Sequence, residues 1–187
     1  YATTFAITFL LSLYLQYILG LSPRDAGMIL ITQPVLMAIV ASISGKLSDR
    51  HDPRILASAG MGIITVGLIM LSFLTEHSSL SYLVVILAVV GFGFGMFSSP
   101  NTNAIMGSVD KKYLGIASAT VGTMRLTGQM MSMGIATLIL QLFIGNSPIS
   151  LQNAAEFLSS MRTTFLVFVI LCILGLFSSL ARGKSAA

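Results

Sequence analysis

The sequence predicts an all-α, polytopic integral membrane protein with six transmembrane helices. Three observations carry that prediction. Hydrophobic residues make up 55% of the 187 and charged residues only 9%, where a soluble domain carries roughly 25% charged. With a mean hydropathy of +0.93, the chain has ten basic and six acidic side chains. These are too few to cover 19.8 kDa with a water-facing surface, so the apolar surface must face lipid. Six apolar runs are long enough to cross a bilayer core of about 30 Å, which takes roughly 20 helical residues. The runs are continuous, whereas barrel strands would alternate in segments of about ten residues.

The first span covers 3–19 and places Thr4, Thr8, Ser12 and Gln16 at i,i+4 spacing, with Tyr14 and Tyr17 nearby. It has no charged leader, begins at Tyr1, and is too polar and too poorly flanked for a signal peptide. The expectation is a chain that starts within a longer polypeptide. Ser22-Pro23-Arg24-Asp25 supplies a capping hydroxyl, a proline for the first helical position and an acid for the first turn. These residues start the second span, 26–44. Within it Thr32-Gln33-Pro34 removes a backbone hydrogen bond and kinks the helix.

The third span, 55–74, has no side chain more polar than Ser or Thr. The fourth, 80–97, carries Gly91 and Gly95 at the spacing that lets helices approach closely, followed by Ser98-Ser99-Pro100-Asn101-Thr102-Asn103. A phosphate-binding reading of these glycines is weak, because no strand precedes them and no lysine follows. The fifth span, 114–144, ends at Asn146-Ser147-Pro148. The segment 150–162 reads as a short interfacial helix. The sixth span, 164–180, is as apolar as the third and contains Cys172. Polarity thus divides the spans: one, two, four and five line an interior, while three and six meet lipid.

Arg125 stands out on the fifth span. Gly115, Ser118, Gly122, Arg125, Gln129, Ser132 and Ala136 recur at steps of three and four and share one face. Such a stripe must face protein or water. For the glycines, close helix packing accounts for the pattern. Arg125 lies roughly 12–17 Å along the helix from its start, where a charge costs about 2.5 kcal/mol or more. Two readings fit it: contact with substrate, coupling ion or gate, or a structural clamp onto helix carbonyls. Arg125, Gln129, Gln16 and Gln33 are the candidate cavity-lining polar groups. Tyr14 and Met130 are candidates for adaptable apolar contact, although methionine at helical spacing also reads as plain packing.

Several chemistries drop out. Cys172 is the only cysteine, so no disulfide forms within the chain. The two histidines, His51 and His77, sit in separate polar breaks and give no metal set. No nucleophile–base pair or paired carboxylate lies at membrane depth, so the reading includes no catalytic group, no metal and no cofactor. All six acids, Asp25, Asp49, Asp52, Glu76, Asp110 and Glu156, fall in the breaks, so no span carries an obvious proton-binding carboxylate. The net charge of +4 is a topology signal, which removes nucleic acid as a partner. Lys46, Arg50, Arg54, Lys111, Lys112, Arg182 and Lys184 fall on one side, and Arg24 and Arg162 on the other. That split puts the first side, with both termini, in the cytoplasm.

Gly45-Lys46-Leu47-Ser48-Asp49-Arg50-His51-Asp52-Pro53-Arg54 resembles the signature loop of the major facilitator superfamily, Gly-x-x-x-Asp-Arg/Lys-x-Gly-Arg/Lys-Arg/Lys. Gly45, Asp49, Arg50 and Arg54 match; Asp52 replaces the usual glycine and Pro53 one basic residue, as in the C-terminal copy of the loop. The loop reads either as a gate, with Asp49 held by Arg50, Arg54 or the next helix N-terminus, or as a set of topology anchors near anionic headgroups. Tyr14-Leu15-Gln16, Gly20-Leu21-Ser22-Pro23 and Ala26-Gly27 are similar to the seventh-helix region of multidrug antiporters. Ala117–Gly134, with Arg125 and Gly128, is similar to the penultimate helix of the fourteen-span drug:proton antiporters.

The resemblance implies the C-terminal six-helix half of a secondary transporter, built as two inverted three-helix repeats with the N-terminal half missing. It implies a cytoplasmic-membrane protein whose partners are a small-molecule substrate, protons, the lipid bilayer and a second six-helix half, in the same polypeptide or by self-pairing. The expected activity is proton-coupled export of amphipathic compounds by alternating access. A scaffold or assembly subunit, binding a partner helix through the polar face of the fifth span, is the alternative.

Overall fold

The computed structural model describes residues 1–48, 50, 52–145, 147 and 149–181. Every regular element among them is helical. Asp49, His51, Asn146, Pro148, Arg182 and Lys184, each given a role above, lie outside the described residues.

Helix α1 runs over Thr4–Leu13 and widens into a π-helical turn over Tyr14–Ile18. Gly20, at φ +66°, turns the chain. Ser22 then caps α2 (Pro23–Leu30), its hydroxyl accepting from the Asp25 N–H at 3.2 Å, with Pro23 in the first turn. Helix α3 (Thr32–Ser48) follows after an interruption at Ile31. Pro34 has no N–H to offer the Leu30 carbonyl, so the break sits one turn before the proline. Helix α4 spans Pro53–Leu71, α5 Leu80–Gly107, α6 Leu114–Ile144 and α7 Ala154–Ala181. Five helical stretches are long and apolar enough to cross a membrane, and Thr4–Ile18 is a shorter apolar one.

Two helices extend beyond their expected spans. The fourth was expected to stop at Phe97, but α5 continues through Pro100 to Gly107. Its polar residues find partners there: Thr102 donates to the Ser98 carbonyl at 2.9 Å and Asn103 to Ser48 Oγ at 2.8 Å. The segment 150–162 is not a separate interfacial helix. A short 3₁₀ turn, Leu151–Asn153, leads straight into α7. The hydroxyls of Ser159, Ser160, Thr163 and Thr164 all return to carbonyls three or four residues back. A hydroxyl satisfied by its own helix does not end that helix.

Helix α5 is the axis of the bundle, packed against both α3 and α4. Toward α3 it presents Gly91, Gly95, Ser99 and Asn103. A Cβ on Gly91 would lie 2.5 Å from the Gln33 carbonyl oxygen, and one on Gly95 2.7 Å from Val40. Ser44 donates to the Gly95 carbonyl at 2.8 Å. Toward α4, Gly60 and Gly93 face each other at similar range. Backbones this close gain van der Waals contact that lipid tails do not match. Helix α7 closes against α4, with Ser58 and Ser179 hydroxyls 2.9 Å apart, and buries Phe157, Phe165 and Phe168 completely.

The expected division, with spans three and six against lipid and the polar ones lining an interior, is not the division of burial within the chain itself. Of the 18-residue apolar windows, 44% is buried in α4 and 39% in α7, but only 17% in α2–α3 and in α6. Helices α4 and α7 keep outward apolar faces, including Val66, Phe73, Ile170 and Phe177, yet they are among the best-covered elements. An apolar side chain is as content in a protein core as among acyl chains, so the lack of polar residues does not identify a lipid-facing helix.

Candidate functional site

Of the polar row expected on the first span, Thr8, Ser12 and Gln16 lie on the less covered side of α1, while the Thr4 hydroxyl oxygen is buried with no hydrogen-bond partner among the described residues. Ala6, Ile7, Leu10, Leu11 and Leu15 are fully buried, while Thr8 is exposed and Thr4, Ser12 and Gln16 are half-buried. Gln16 donates through Nε2 to the Ser12 carbonyl at 3.1 Å and to Ser12 Oγ at 2.9 Å. That capture fixes the amide against its own helix.

Helix α6 crosses α1 on the stripe seen in the sequence. Ser132 and Ala136 are fully buried, and Ser132 Oγ accepts the Ala6 N–H at 2.9 Å. This hydroxyl completes the first turn of α1, where helical N–H groups lack partners. Farther along, Gln129 is half-buried and Arg125 is exposed. The guanidinium carbon of Arg125 stands 5.3 Å from the centre of the Tyr1 ring. Tyr1 meets Phe97 edge-on at 5.5 Å, and its hydroxyl lies 3.4 Å from Ser98 Oγ. Arg125 therefore has an aromatic face as its neighbour, which contributes about 0.5–1 kcal/mol at an exposed site. Neither an ion pair nor a carbonyl clamp on Arg125 is present among the described residues.

Other candidates separate from this group. Gln33 is 4% exposed and sits in the α3–α5 contact at Gly91, not at an open cavity. Tyr14 is fully buried, its hydroxyl donating to the Thr75 carbonyl at 2.6 Å. It ties α1 to the turn after α4 and offers no surface for adaptable contact. Met130, at 75% exposed, points outward. No hydrogen bond joins Gln16, Gln33, Gln129 and Arg125 to one another among the described residues.

In the signature loop, Gly45 lets α3 approach α5: a Cβ there would lie 2.7 Å from Ser99 Oγ. Ser48 donates to the Gly45 carbonyl at 2.7 Å and accepts from Asn103, so the end of α3 is anchored to α5. Arg50 is exposed and Arg54 half-buried. Asp52 caps α4 by accepting the Arg54 N–H at 3.0 Å, with Pro53 in the first turn. The two departures from the family pattern thus act together as a helix start. An Asp-Pro pair before an apolar run carries that signal in the sequence. The Ser44–Ser48–Asn103 anchorage was missed, although Gly91, Gly95, Ser99 and Asn103 recur every four residues.

Long apolar helices packed through glycines, with a charged residue on an open helix face, are the architecture of a polytopic membrane protein. The chain belongs to the Major Facilitator Superfamily, whose family model matches residues 1–185. It is 34% identical over 125 residues to the riboflavin transporter RibZ of Clostridioides difficile, covering 67% of this chain and 27% of that protein. To the transporter YebQ of Escherichia coli it is 30% identical over 166 residues, covering 89% of this chain and 35% of YebQ. The multidrug efflux pump LfrA of Mycolicibacterium smegmatis is 28% identical over 130 residues, 70% of this chain and 25% of LfrA. The matched stretches span about a quarter to a third of these curated relatives.

Proposed function

We propose that the chain is one six-helix half of a proton-coupled exporter of amphipathic or drug-like compounds, embedded in the cytoplasmic membrane. In this reading the end carrying Lys46, Arg50, Arg54, Lys111 and Lys112 faces the cytoplasm. A second six-helix bundle covers the open faces of α3 and α6, and the two halves rock about a site near the midplane. The observation that carries this reading is the uncovered polar face, with Thr8, Ser12 and Gln16 on α1 and Arg125 and Gln129 on α6. Polar groups left open on apolar helices need water, substrate or a partner. Names among the relatives support the substrate class: a multidrug efflux pump, a multidrug resistance protein and a riboflavin transporter. In the transport cycle Arg125 and Gln129 contact substrate or a coupling group, and Arg50 and Arg54 belong to the cytoplasmic gate.

The test is dye and riboflavin transport in everted vesicles holding the transporter that contains this chain, with and without an imposed pH gradient. Gradient-driven uptake that falls about tenfold in both Arg125→Ala and Arg125→Lys, equivalent to ~1.4 kcal/mol, is the expected result. Lysine cannot reproduce the planar fork of arginine. Uptake indifferent to the gradient would remove proton coupling, and full activity in both variants would remove Arg125 from the site.

A further inference from the structure

We propose that the cleft between α4 and α7, at the end of the bundle opposite Lys46 and Arg50, binds a phospholipid with a primary-amine headgroup. Its phosphate sits on Arg162, its ammonium on Glu76, and its acyl chains follow the apolar rim. The cleft has a volume of about 370 Å³, within the roughly 300–1,000 Å³ of small-molecule sites. Both charges line it, together with Phe73, Leu74 and Leu158. The inference needs the bundle to lie in a membrane and does not depend on what it transports.

The two charges share the cleft without neutralising each other. Around Arg162 the hydroxyls of Ser159, Ser160, Thr163 and Thr164 are satisfied by their own helix. Arg162 itself is exposed and has no hydrogen-bond or ion-pair partner among the described residues. Glu76, 54% exposed, meets His77 at 3.7 Å, and that imidazole is 89% exposed. A guanidinium left open at the edge of an apolar helix suits a phosphate, which it holds through two parallel N–H···O bonds. A carboxylate in the same cleft repels a purely anionic headgroup. It accepts hydrogen bonds from a primary ammonium, which has three N–H donors, but none from a quaternary one.

The turn that carries Glu76 is fixed in place. The Thr75 carbonyl accepts from the Tyr14 hydroxyl at 2.6 Å, and the Thr75 N–H donates to Ser78 Oγ at 2.9 Å. A rim held this way lowers the ordering cost of binding. Phe73, exposed, and Leu158, half-buried, offer apolar surface to the acyl chains. In the proposed transporter a second bundle covers α3 and α6. Neither helix lines this cleft, so it stays open to lipid.

The test uses the transporter that contains this chain, reconstituted in phosphatidylcholine nanodiscs. The chain has no tryptophan, so Phe73→Trp, with the parent's emission subtracted, reports on the cleft. Its quenching is followed as dibrominated phosphatidylethanolamine, phosphatidylglycerol or phosphatidylcholine replaces the host lipid. The ethanolamine lipid is expected to reach half-maximal quenching at a mole fraction about two- to fivefold below the choline lipid, the range of an exposed ion pair. Glu76→Gln should erase that preference and strengthen the glycerol lipid. Arg162→Gln should erase it and weaken the glycerol lipid. Both side chains are exposed, so both variants should keep the parent's melting temperature. Equal quenching by all three lipids overturns the proposal, as does an ethanolamine preference that both variants retain. Water-soluble glycerophosphoethanolamine should leave the quenching unchanged. If it relieves the quenching at the same concentration, the ligand is a free phosphoester amine and the lipid assignment falls.

Discussion

Gly60 and Gly62 sit half a turn apart on α4 and have opposite environments. A Cβ on Gly60 would lie 2.7 Å from the Gly93 carbonyl oxygen and 2.7 Å from the Phe97 nitrogen, both backbone atoms, whereas nothing lies within 4 Å of one on Gly62. Backbone cannot swing aside as a side-chain tip can. Gly60→Ala is therefore expected to force α4 and α5 apart and cost about 1–3 kcal/mol. Gly62→Ala should stabilise α4 by roughly 0.5–1 kcal/mol through lost unfolded-state freedom. Thermal unfolding in detergent, with both variants beside the parent, checks the opposite signs. Tyr14 gives a second test at this scale. Its hydroxyl meets a carbonyl inside the fold, so Tyr14→Phe should cost about 1 kcal/mol and leave transport untouched. A loss of transport without a loss of stability would return Tyr14 to the substrate cavity. Arg125 was legible because one charge on an apolar helix is conspicuous in any alphabet. Tyr14 was not, since a tyrosine in a spanning run reads equally well as a buried lock and as a ligand contact.

Helix boundaries test how far local chemistry reaches. The α2 start was legible in Ser22, Pro23 and Asp25, because an N-terminal cap involves only neighbouring residues. The start of α4 was equally local, yet Asp52 and Pro53 were weighed as departures from a loop pattern and their capping role was missed. The cap predicts an ordering: Asp52→Ala should cost about 1 kcal/mol, and Asp52→Gly, which restores the residue usual in the family, only a few tenths. Amide hydrogen exchange in the first turn of α4 should quicken in the same order. Equal protection in all three proteins would show that the Asp52–Arg54 contact does not hold the helix. The extension of α5 through Pro100 and of α7 through Ser159–Thr164 was not legible. There polar residues pair with a neighbouring helix or with their own carbonyls, and a hydropathy run sees neither. How much of α4 and α7 is covered within the chain was not legible for a related reason: sequence distinguishes polar from apolar but not core from lipid.

As a body, the six helical stretches leave two kinds of surface uncovered. Val35, Ile39, Ile43 and Leu47 form an exposed apolar row along α3, and Met124, Met130, Met131 and Leu142 are exposed on α6. Lipid and a second bundle solvate such residues equally, so these rows do not decide between them. The polar face of α1 and Arg125 do, because lipid solvates neither. Alternating access also needs a second body to rock against, and proton coupling needs a titrating group at depth. All six acids of this chain lie outside its apolar runs, so on the proposed mechanism the coupling carboxylate comes from the other half. Reconstituted alone, the chain is expected to insert and fold but to show no gradient-driven dye transport. Co-reconstituted with the other six-helix half of the same transporter, it should transport, and changing an intramembrane Asp or Glu of that half to its amide should abolish the gradient dependence. Transport by the chain alone, driven by the gradient and lost in Arg125→Ala, would mean that two copies pair and that protons pass without a buried carboxylate. The division of labour between two unlike halves would then be wrong, even with Arg125 still in the site.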